Sequence, residues 1–241
     1  MKTVMITGAT SGLGLALAHY YAQNSYKVIA CGRNKEKLSE LTEKYDNIET
    51  LIFDITQAEQ VNNAAIRCHN TIDILILNAG DCEYIDEVKN FNSELFERVI
   101  KVNLIAAGYL IAAFVNKLSR GGQLVFISSM VTTMPFPKAH AYGASKAGIN
   151  YLANTLRFDL KAENIDVTLV HPGFIQTPLT DKNDFSMPFL LTSADAAKRI
   201  YQGIKQRSKT VIFPKRFYCL LIFMRLLPDF LWHKMFFKGG Y

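Results

Sequence analysis

The segment VMITGATSGLG (Val4–Gly14) decides the fold. A short apolar run rich in β-branched residues ends at Thr7, and three glycines follow it as a helical pattern begins. Gly8 permits a tight turn, Gly12 lets the backbone approach a pyrophosphate, and Gly14 allows the helix to pack closely. The free N–H groups at the start of that helix attract an anion. The segment therefore predicts a dinucleotide-binding turn, with a turn of purely structural role as the alternative.

Strand-like and helix-like segments alternate along the rest of the chain. The alternation predicts right-handed crossovers and a Rossmann-type, doubly wound parallel sheet of about seven strands, with helices on both faces. Ligands of such sheets lie beyond the carboxyl ends of the strands. The predicted strands are Lys2–Thr7, Lys27–Cys31, Glu49–Phe53, Ile74–Leu77, Gln123–Ser128, Val167–Val170 and Thr210–Phe213. The predicted helices are Leu13–Asn24, Glu36–Tyr45, Ala58–His69, Ser93–Leu118, Tyr142–Ala162 and Ala194–Gln206.

Length and composition indicate one globular α/β domain. The chain has 241 residues, of which 49% are hydrophobic and 20% charged, a balance that excludes a disordered chain. We assign residues 1–213 to a catalytic Rossmann-fold domain and residues 214–241 to a C-terminal extension. Four widely spaced cysteines without a metal-ligand pattern indicate reduced thiols, and the N-terminus lacks the pattern of a signal peptide. We therefore expect a cytoplasmic protein.

The positive charge of the chain is concentrated near its C-terminus. Residues 207–241 contain seven Lys or Arg and one acid, which accounts for the whole net charge of +6. The remainder of the chain is neutral, so the basic balance does not indicate a nucleic-acid-binding face.

The residues after the second predicted strand indicate which dinucleotide is bound. NAD-binding folds place an acid there for the adenosine ribose, but this sequence reads CGRN (Cys31–Asn34). Gly32 leaves room, and Arg33 offers a planar fork suited to a 2′-phosphate. We expect NADP (NADPH) in preference to NAD, with a solvated surface arginine as the alternative. Asp54 could bond the adenine amino group or cap the helix that starts near Gln57.

Further motifs follow in a specific order along the chain. They are TGxxxGxG at Thr7–Gly14, Asn78-Ala79-Gly80 after the fourth strand, Asn103, Ser129, Tyr142-xxx-Lys146, and Pro172-Gly173 after the sixth strand. Together they resemble the short-chain dehydrogenase/reductase family, in the subfamily with TGxxxGxG and YxxxK motifs, over about residues 1–213. Two features depart from the family pattern. Leu77 stands where the family often has an asparagine, and the short stretch from Thr177 to Ser193 leaves the size of the substrate pocket open.

The resemblance implies a set of site residues. Asn78–Gly80 would wall the adenine side of the cofactor, and Pro172–Phe174 with Thr177 would hold its nicotinamide end. The implied catalytic residues are Asn103, Ser129, Tyr142 and Lys146. The implied cofactor-binding residues are Gly8, Thr10, Ser11, Gly12, Leu13, Gly14, Arg33, Asp54, Ile55, Asn78, Ala79, Gly80, Tyr142, Lys146, Pro172, Gly173, Phe174, Ile175 and Thr177.

Tyr142 and Lys146 suit proton exchange with a ketone or alcohol. Four residues apart on a predicted helix, they project from one face. A Lys ammonium about 5 Å from a tyrosinate stabilises it by roughly 3 kcal/mol at an effective dielectric near 20, or about two pKa units. Together with a cationic nicotinamide, this would lower the pKa of Tyr142 into a working range.

Ser129 and Asn103 complete the expected catalytic set. Ser129 can donate to the substrate oxygen. Asn103, as the resemblance implies, would anchor a water that relays protons to Lys146. We interpret His140 and His171 as structural, because no carboxylate partner is evident for either, and no metal-ligand spacing occurs.

The substrate end is rich in apolar side chains. Substrate contacts are expected from Met130–His140, Phe174–Leu191 and the C-terminal tail, which favours an apolar substrate; an aromatic lid that packs only on the protein is the alternative. The apolar run Phe217–Met224 is too short to span a membrane, and Pro228 interrupts a helix. The tail, with Trp232, therefore predicts either peripheral membrane contact or a packed extension that covers the pocket or joins subunits.

The sequence thus predicts an NADP-dependent carbonyl reductase or alcohol dehydrogenase. The expected substrate is a lipophilic 3-oxoacyl, sphingoid, retinoid or steroid-like compound. The long helices Ser93–Leu118 and Tyr142–Ala162 resemble those through which family members associate, so a homodimer or homotetramer is expected. The alternative function is a non-catalytic NADP-binding redox sensor or scaffold.

Overall fold

The computed structural model describes residues 1–182 and 185–228 of the chain. Its centre is a seven-stranded parallel sheet in the order β3-β2-β1-β4-β5-β6-β7. The strands are β1 (Thr3–Thr7), β2 (Lys27–Gly32), β3 (Ile48–Ile52), β4 (Ile72–Leu77), β5 (Leu118–Ile127), β6 (Asp166–Pro172) and β7 (Thr210–Phe213). The predicted fold class and all seven predicted strands are confirmed.

Eight α-helices accompany the sheet in the described part of the chain. They are α1 (Gly12–Gln23), α2 (Lys35–Lys44), α3 (Ala58–Arg67), α4 (Ser93–Ile100), α5 (Ala106–Phe114), α6 (His140–Asp159), α7 (Ser193–Lys205) and α8 (Lys215–Leu226). Helices α1, α2 and α7 cover one face of the sheet, and α3, α5 and α6 cover the other.

Burial on both faces explains the continuous apolar runs of the strands. Successive side chains of a strand point to opposite faces, so a sheet with two covered faces needs apolar residues at every position. In β4, Ile74 and Ile76 pack under α1 and α7, while Leu75 and Leu77 pack under α3 and α5. The sheet therefore lies between two separate hydrophobic cores, and alternate side chains of each strand belong to one core or the other.

The strand order creates a crevice at the carboxyl end of β1. Strands β2 and β3 lie on one side of β1, and β4 to β7 lie on the other, so the helices that follow β1 and β4 diverge there. Ile6 pairs with Ile76, which brings Gly8 and Asn78 together at the ends of their strands. This is the switch point at which doubly wound sheets bind their ligands.

The long helix predicted at Ser93–Leu118 differs in detail. Helix α4 passes through a π turn (Lys101–Ile105) into α5, and a 3₁₀ turn (Val115–Lys117) ends it. Leu118 instead begins β5, because it pairs with Ile72 upstream of the predicted start at Gln123. The whole helix is long and apolar enough to cross a membrane by length and composition alone. Its apolar residues Ala107, Leu110 and Phe114 are nevertheless buried against the sheet, as in the core helix of a globular protein.

The C-terminal extension begins as a helix packed on the Rossmann domain. Phe217 and Leu221 of α8 are buried against Met130 and Met134, which follow β5. The helix ends before Pro228, as expected from the missing N–H of proline. The prediction for Trp232 concerns a residue outside the described part of the chain.

Candidate active site

The glycine turn after β1 has the geometry that its sequence predicts. Gly8 and Gly12 have φ angles of +70° and +52°, a region of backbone conformation that residues other than glycine rarely adopt. A Cβ on Gly14 would lie 2.1 Å from the Gly8 carbonyl oxygen, so only glycine allows α1 to approach the turn. Thr7 fixes the neighbouring loop, because its Oγ1 accepts from the backbone N–H groups of Asn78 and Ala79 at 3.0 and 3.1 Å.

A cleft of about 950 Å³ opens at this edge of the sheet and collects most of the predicted site. All predicted cofactor-binding residues except Phe174 line it, as do the catalytic candidates Ser129, Tyr142 and Lys146. Between the glycine turn and Tyr142, small residues line the cleft, so a dinucleotide could reach their backbone groups. The residues present therefore fit such a cofactor. A Cβ at Gly14 would collide with the Gly8 carbonyl oxygen, so any larger residue there would disrupt the turn that forms this part of the cleft.

Phe174 differs from the other predicted cofactor residues in its surroundings. It is not among the residues that line the cleft. Its ring instead packs against Phe217 at a centroid distance of 5.6 Å and Phe185 at 6.0 Å. The ring thus packs on one aromatic residue of the C-terminal extension and one of the loop after β6, and the family pattern specifies neither partner.

Arg33 and Asp54 lie together at the far end of the cleft. The Arg33 guanidinium is 77% exposed, and its Nη1 is 3.6 Å from Asp54 Oδ2. Asp54 Oδ1 accepts from Thr56 N and Thr56 Oγ1, both at 2.8 Å. Burial raises the pKa of Asp54, but the Thr56 hydrogen bonds and the Arg33 charge outweigh it and hold the pKa below its usual value.

The alternative role of Asp54 as a helix cap is wrong. Gln57 is the N-cap of α3, and no side chain bonds the helix N–H groups there. Asp54 instead forms a local turn, in which its Oδ1 accepts from Thr56, while its Oδ2 lies near Arg33.

Ser129, Tyr142 and Lys146 meet where β5 ends and α6 begins. Ser129 caps a 3₁₀ turn (Met130–Thr132), and its Oγ accepts from Val131 N at 3.1 Å while its side chain also bonds that of Tyr142. Lys146 lies one turn along α6, with Nζ 5.7 Å from the Tyr142 ring centroid and 2.9 Å from the Ile127 carbonyl oxygen that it donates to. The predicted placement of both residues on one helix face holds.

The pKa shifts in this group run against the prediction from charge alone. Burial raises the pKa of Tyr142 well above its ordinary value, the neighbouring Cys82 raises it further, and the Ser129 hydrogen bond opposes both. Burial also lowers the pKa of Lys146 to about 8, against the opposing influence of Cys82. The chain's own residues therefore keep the phenol protonated near neutral pH, because burial outweighs the Ser129 hydrogen bond that lowers the pKa of Tyr142.

Asn103 lies in the π turn between α4 and α5 and is only 4% exposed. Its Oδ1 accepts from Asp81 N at 2.7 Å, and its Nδ2 donates to Asp81 O at 2.8 Å and Ser145 Oγ at 2.9 Å. Both amide donors and one lone pair of Oδ1 are therefore used, and the second lone pair of Oδ1 is the acceptor position left for a water. Asn103 lies behind the cleft rather than lining it.

Ser145 was missed by the sequence reasoning. It is fully buried, and its Oγ donates to Tyr142 O at 2.7 Å while it accepts from Asn103. Ser145 thereby links the loop after β4 to the first turn of α6. Its position directly before Lys146 is a signal that could have identified it, but its partner Asn103 lies 42 residues away in sequence.

The loop after β4 contributes a further neighbour of the catalytic group. Cys82 acts electrostatically on both Tyr142 and Lys146, and burial raises its own pKa to about 11. Arg98 of α4 holds this loop through two hydrogen bonds of 2.9 Å to the Glu83 carboxylate. None of these residues belongs to a sequence motif, so their place beside the catalytic group could not be predicted from a local pattern.

His171 supports the same corner, as the structural interpretation predicts. Its Nδ1 lies 3.3 Å from Ser129 O and 3.5 Å from Thr132 Oγ1. Burial lowers the pKa of His171 although the Ser129 contact opposes this, so the ring is neutral near pH 7. His140 packs edge-on against Phe91 and lies outside the cleft lining.

The three segments expected at the substrate end converge in one apolar cluster. It comprises Met130, Met134, Phe136, Phe174, Ile212, Phe217, Tyr218, Leu221 and Met224. The cluster starts next to Ser129 and extends to α8. None of its members lines the cleft itself, so the cluster adjoins the site through the neighbours Met130 and Phe174 of lining residues.

Comparisons with known proteins agree with this architecture, which is that of the dinucleotide-binding oxidoreductases. The family model described as short chain dehydrogenase matches residues 2–187. The chain therefore belongs to the short-chain dehydrogenase/reductase family.

Individual relatives cover most of the chain. An uncharacterized oxidoreductase of Myxococcus xanthus is 30% identical over 238 residues, which is 95% of this chain and 93% of that protein. A 3-oxoacyl-[acyl-carrier-protein] reductase of Rickettsia prowazekii is 34% identical over 184 residues, which is 75% of this chain and 76% of that protein. The solved short-chain dehydrogenase from Sphingobium yanoikuyae in complex with NADPH superposes with a TM-score of 0.78 at 27% identity, and the match covers 95% of this chain and 97% of that chain.

Proposed function

We propose that the protein is an NADPH-dependent carbonyl reductase that converts an apolar ketone or aldehyde to an alcohol. The observation that carries the proposal is the convergence of Ser129, Tyr142 and Lys146 on one wall of the cleft, with the Lys146 ammonium 5.7 Å from the centroid of the tyrosine ring. A cleft built only for binding would not require a protonated phenol at this place.

The chain's residues would act on the carbonyl oxygen while the bound dinucleotide supplies the hydride. Ser129 Oγ accepts from Val131 N, which orients the hydroxyl, and its proton would turn from Tyr142 to the substrate oxygen when a ketone binds. Tyr142 then gives its proton to the developing alkoxide, which is a stronger base than the phenolate. Lys146 would bond the nicotinamide ribose and stabilise the tyrosinate that remains.

The preference for NADP rests on Arg33. No acid is present on the CGRN segment where NAD-binding folds place one, and the exposed fork of Arg33 can turn from Asp54 toward a 2′-phosphate. The NADPH complex of the relative from Sphingobium yanoikuyae supports the same preference.

An apolar substrate is favoured by the cluster beside Ser129. Met130, Met134 and Phe174 border the catalytic corner, and none of the cluster members carries a charge. The relative that reduces 3-oxoacyl groups suggests a chain-like substrate, so a 3-oxoacyl thioester is the first compound to test.

Association and location complete the proposal. Tyr151 and Phe158 of α6 are 76% and 79% exposed, and Ile105 beside α5 is also exposed, so a homodimer or homotetramer through these helices would bury apolar surface. We place the protein in the cytoplasm on the strength of its free cysteines.

The test is NADPH oxidation at 340 nm against ketones graded by chain length and ring size. Wild type, Tyr142→Phe and the matched control Tyr151→Phe are compared, since Tyr151 lies exposed on the same helix. We expect the Tyr142 variant to lose at least about 100-fold in kcat/KM, the usual contribution of a general acid, and the control to lose nothing. Equal activity in both variants would overturn the catalytic assignment.

The non-catalytic sensor is distinguished in the same experiment. A sensor would bind NADPH, measured by quenching of its fluorescence, without turnover of any ketone in the panel. Binding that is tight in wild type and unchanged in Tyr142→Phe, with no turnover in either, would favour the sensor.

A further inference from the structure

We propose that the exposed face of α8 binds the surface of an anionic phospholipid membrane and holds the substrate end of the cleft against it. We define this outer face of α8 by its exposed residues Arg216, Cys219, Leu220, Phe223 and Leu226. The inference concerns an interaction surface and does not require the proposed activity.

The outer face carries large apolar side chains that nothing in the described part of the chain covers. Phe223 is 62% exposed and Leu226 is 78% exposed, on a helix whose opposite side is buried through Phe217 and Leu221. Isolated exposed apolar residues are common, but a row of them along one helix indicates a contact surface. Helix α8 therefore carries apolar residues on its exposed side as well as on its buried side, which is unusual for a helix at the surface.

All the charged residues of α8 are positive. Lys215, Arg216 and Arg225 are exposed, and Lys215–Leu226 contains no acidic residue. Arg225 makes only a long contact of 3.4 Å, from Nη1 to Thr133 O. Cations beside exposed aromatic and aliphatic side chains are the composition of helices that lie in the interface of an anionic bilayer.

The same charge disfavours a second copy of the chain as the occupant. A twofold contact places one face against itself, so the cations of each helix would meet cations with no acid on α8 to pair with them. A lipid surface supplies the missing negative charge. The sequence after Pro228 continues with Phe230, Leu231, Trp232, Lys234 and Lys238, a composition that suits the same surface.

The position of α8 joins this surface to the substrate end. Phe217 on its inner side contacts Phe189 at a centroid distance of 5.9 Å, and Phe189 and Leu190 are themselves exposed beside it. Met130, in the same apolar cluster as Phe217, directly follows Ser129. One helix therefore separates the proposed lipid contact from the catalytic corner.

The test is sedimentation of the full-length protein with phosphatidylcholine vesicles, with and without phosphatidylglycerol. We expect wild type to bind the anionic vesicles at low salt and to dissociate from them at high salt. Lys215→Glu with Arg216→Glu should weaken this binding by about 30-fold, since each cation contributes separately to attraction by an anionic surface. Acids at the start of a helix suit its dipole, so this variant should fold.

Matched controls separate this surface from a general effect. Lys198→Glu with Arg199→Glu removes two adjacent exposed cations from α7, and Ile66→Ser removes an apolar residue of α3 that is 72% exposed. Both controls should bind like wild type, whereas Phe223→Ser should bind about 10-fold more weakly.

Three results would overturn the proposal. Wild type could stay in the supernatant with anionic vesicles, or the α7 control could lose as much binding as the α8 variant. Alternatively, Phe223→Ser could bind vesicles like wild type but elute as a smaller species in gel filtration, which would make the outer face of α8 an interface between copies.

Discussion

Replacement of Asn103 by alanine would test whether this residue is first of all a structural link. Its amide makes three hydrogen bonds of 2.7, 2.8 and 2.9 Å and is 4% exposed. Each bond contributes about 1 kcal/mol, so the substitution should cost about 3 kcal/mol of unfolding free energy. For a chain of this length, that corresponds to a Tm lower by about 6–12 °C.

The assay is thermal unfolding followed by circular dichroism at fixed protein concentration. Asn62→Ala serves as control, because Asn62 lies exposed on α3 and should change Tm by less than about 2 °C. Ser145→Ala should cost about two thirds of the Asn103 effect because Ser145 makes two hydrogen bonds, and the double variant should fall short of the sum of the two single effects, since they share one of them. A change of under 2 °C in Asn103→Ala, together with a large loss of kcat, would refute the structural link and favour a direct catalytic role.

Three further predictions concern the cofactor end, the lysine and the glycine turn. Arg33→Ser should raise the KM for NADPH by about 5-fold and leave that for NADH unchanged, because an exposed charge pair with the 2′-phosphate contributes only about 1 kcal/mol; equal effects on both cofactors would contradict the assignment. With its pKa lowered to about 8, Lys146 loses its charge as pH rises through that value, so kcat/KM for reduction should fall above about pH 8; a profile that stays flat to pH 9.5 would exclude a need for the charge. Gly14→Ala should abolish NADPH binding and lower Tm, because its Cβ would meet the Gly8 carbonyl oxygen, whereas Gly108→Ala meets nothing within 4 Å and should raise the unfolding free energy by about 0.5–1 kcal/mol in the same measurement.

The sequence predicted the sheet well because the apolar composition of each strand is a local pattern. Seven apolar runs between helical patterns allow one common architecture, and the structure confirms it. The start of β5 could not be predicted in this way, since Leu118–Gly122 contains serine, arginine and glycine and pairs only through Leu118 with Ile72. That pairing depends on a strand more than 40 residues away.

The candidate site was predictable where spacing along one element decides it. Tyr142 and Lys146 share a helix face for that reason, and the glycines are fixed by their own turn. The hydrogen bonds of Asn103 and the orientation of Phe174 depend on partners far away in sequence, so no local pattern contains them. The pKa of Tyr142 could not be predicted either, because it follows from burial in the assembled fold.

The order of the strands in the sheet also matters during synthesis of the chain. Strands β1 to β3 pair only with one another and with β4, so the first third of the chain can form one edge while the remainder is still on the ribosome. Strand β4 then adds to the free edge of β1, each of β5, β6 and β7 adds beside its predecessor, and no strand must be inserted between two that have already paired. Helix α8 follows β7, so we expect the glycine turn to form early in synthesis and the apolar wall of the substrate end to close last.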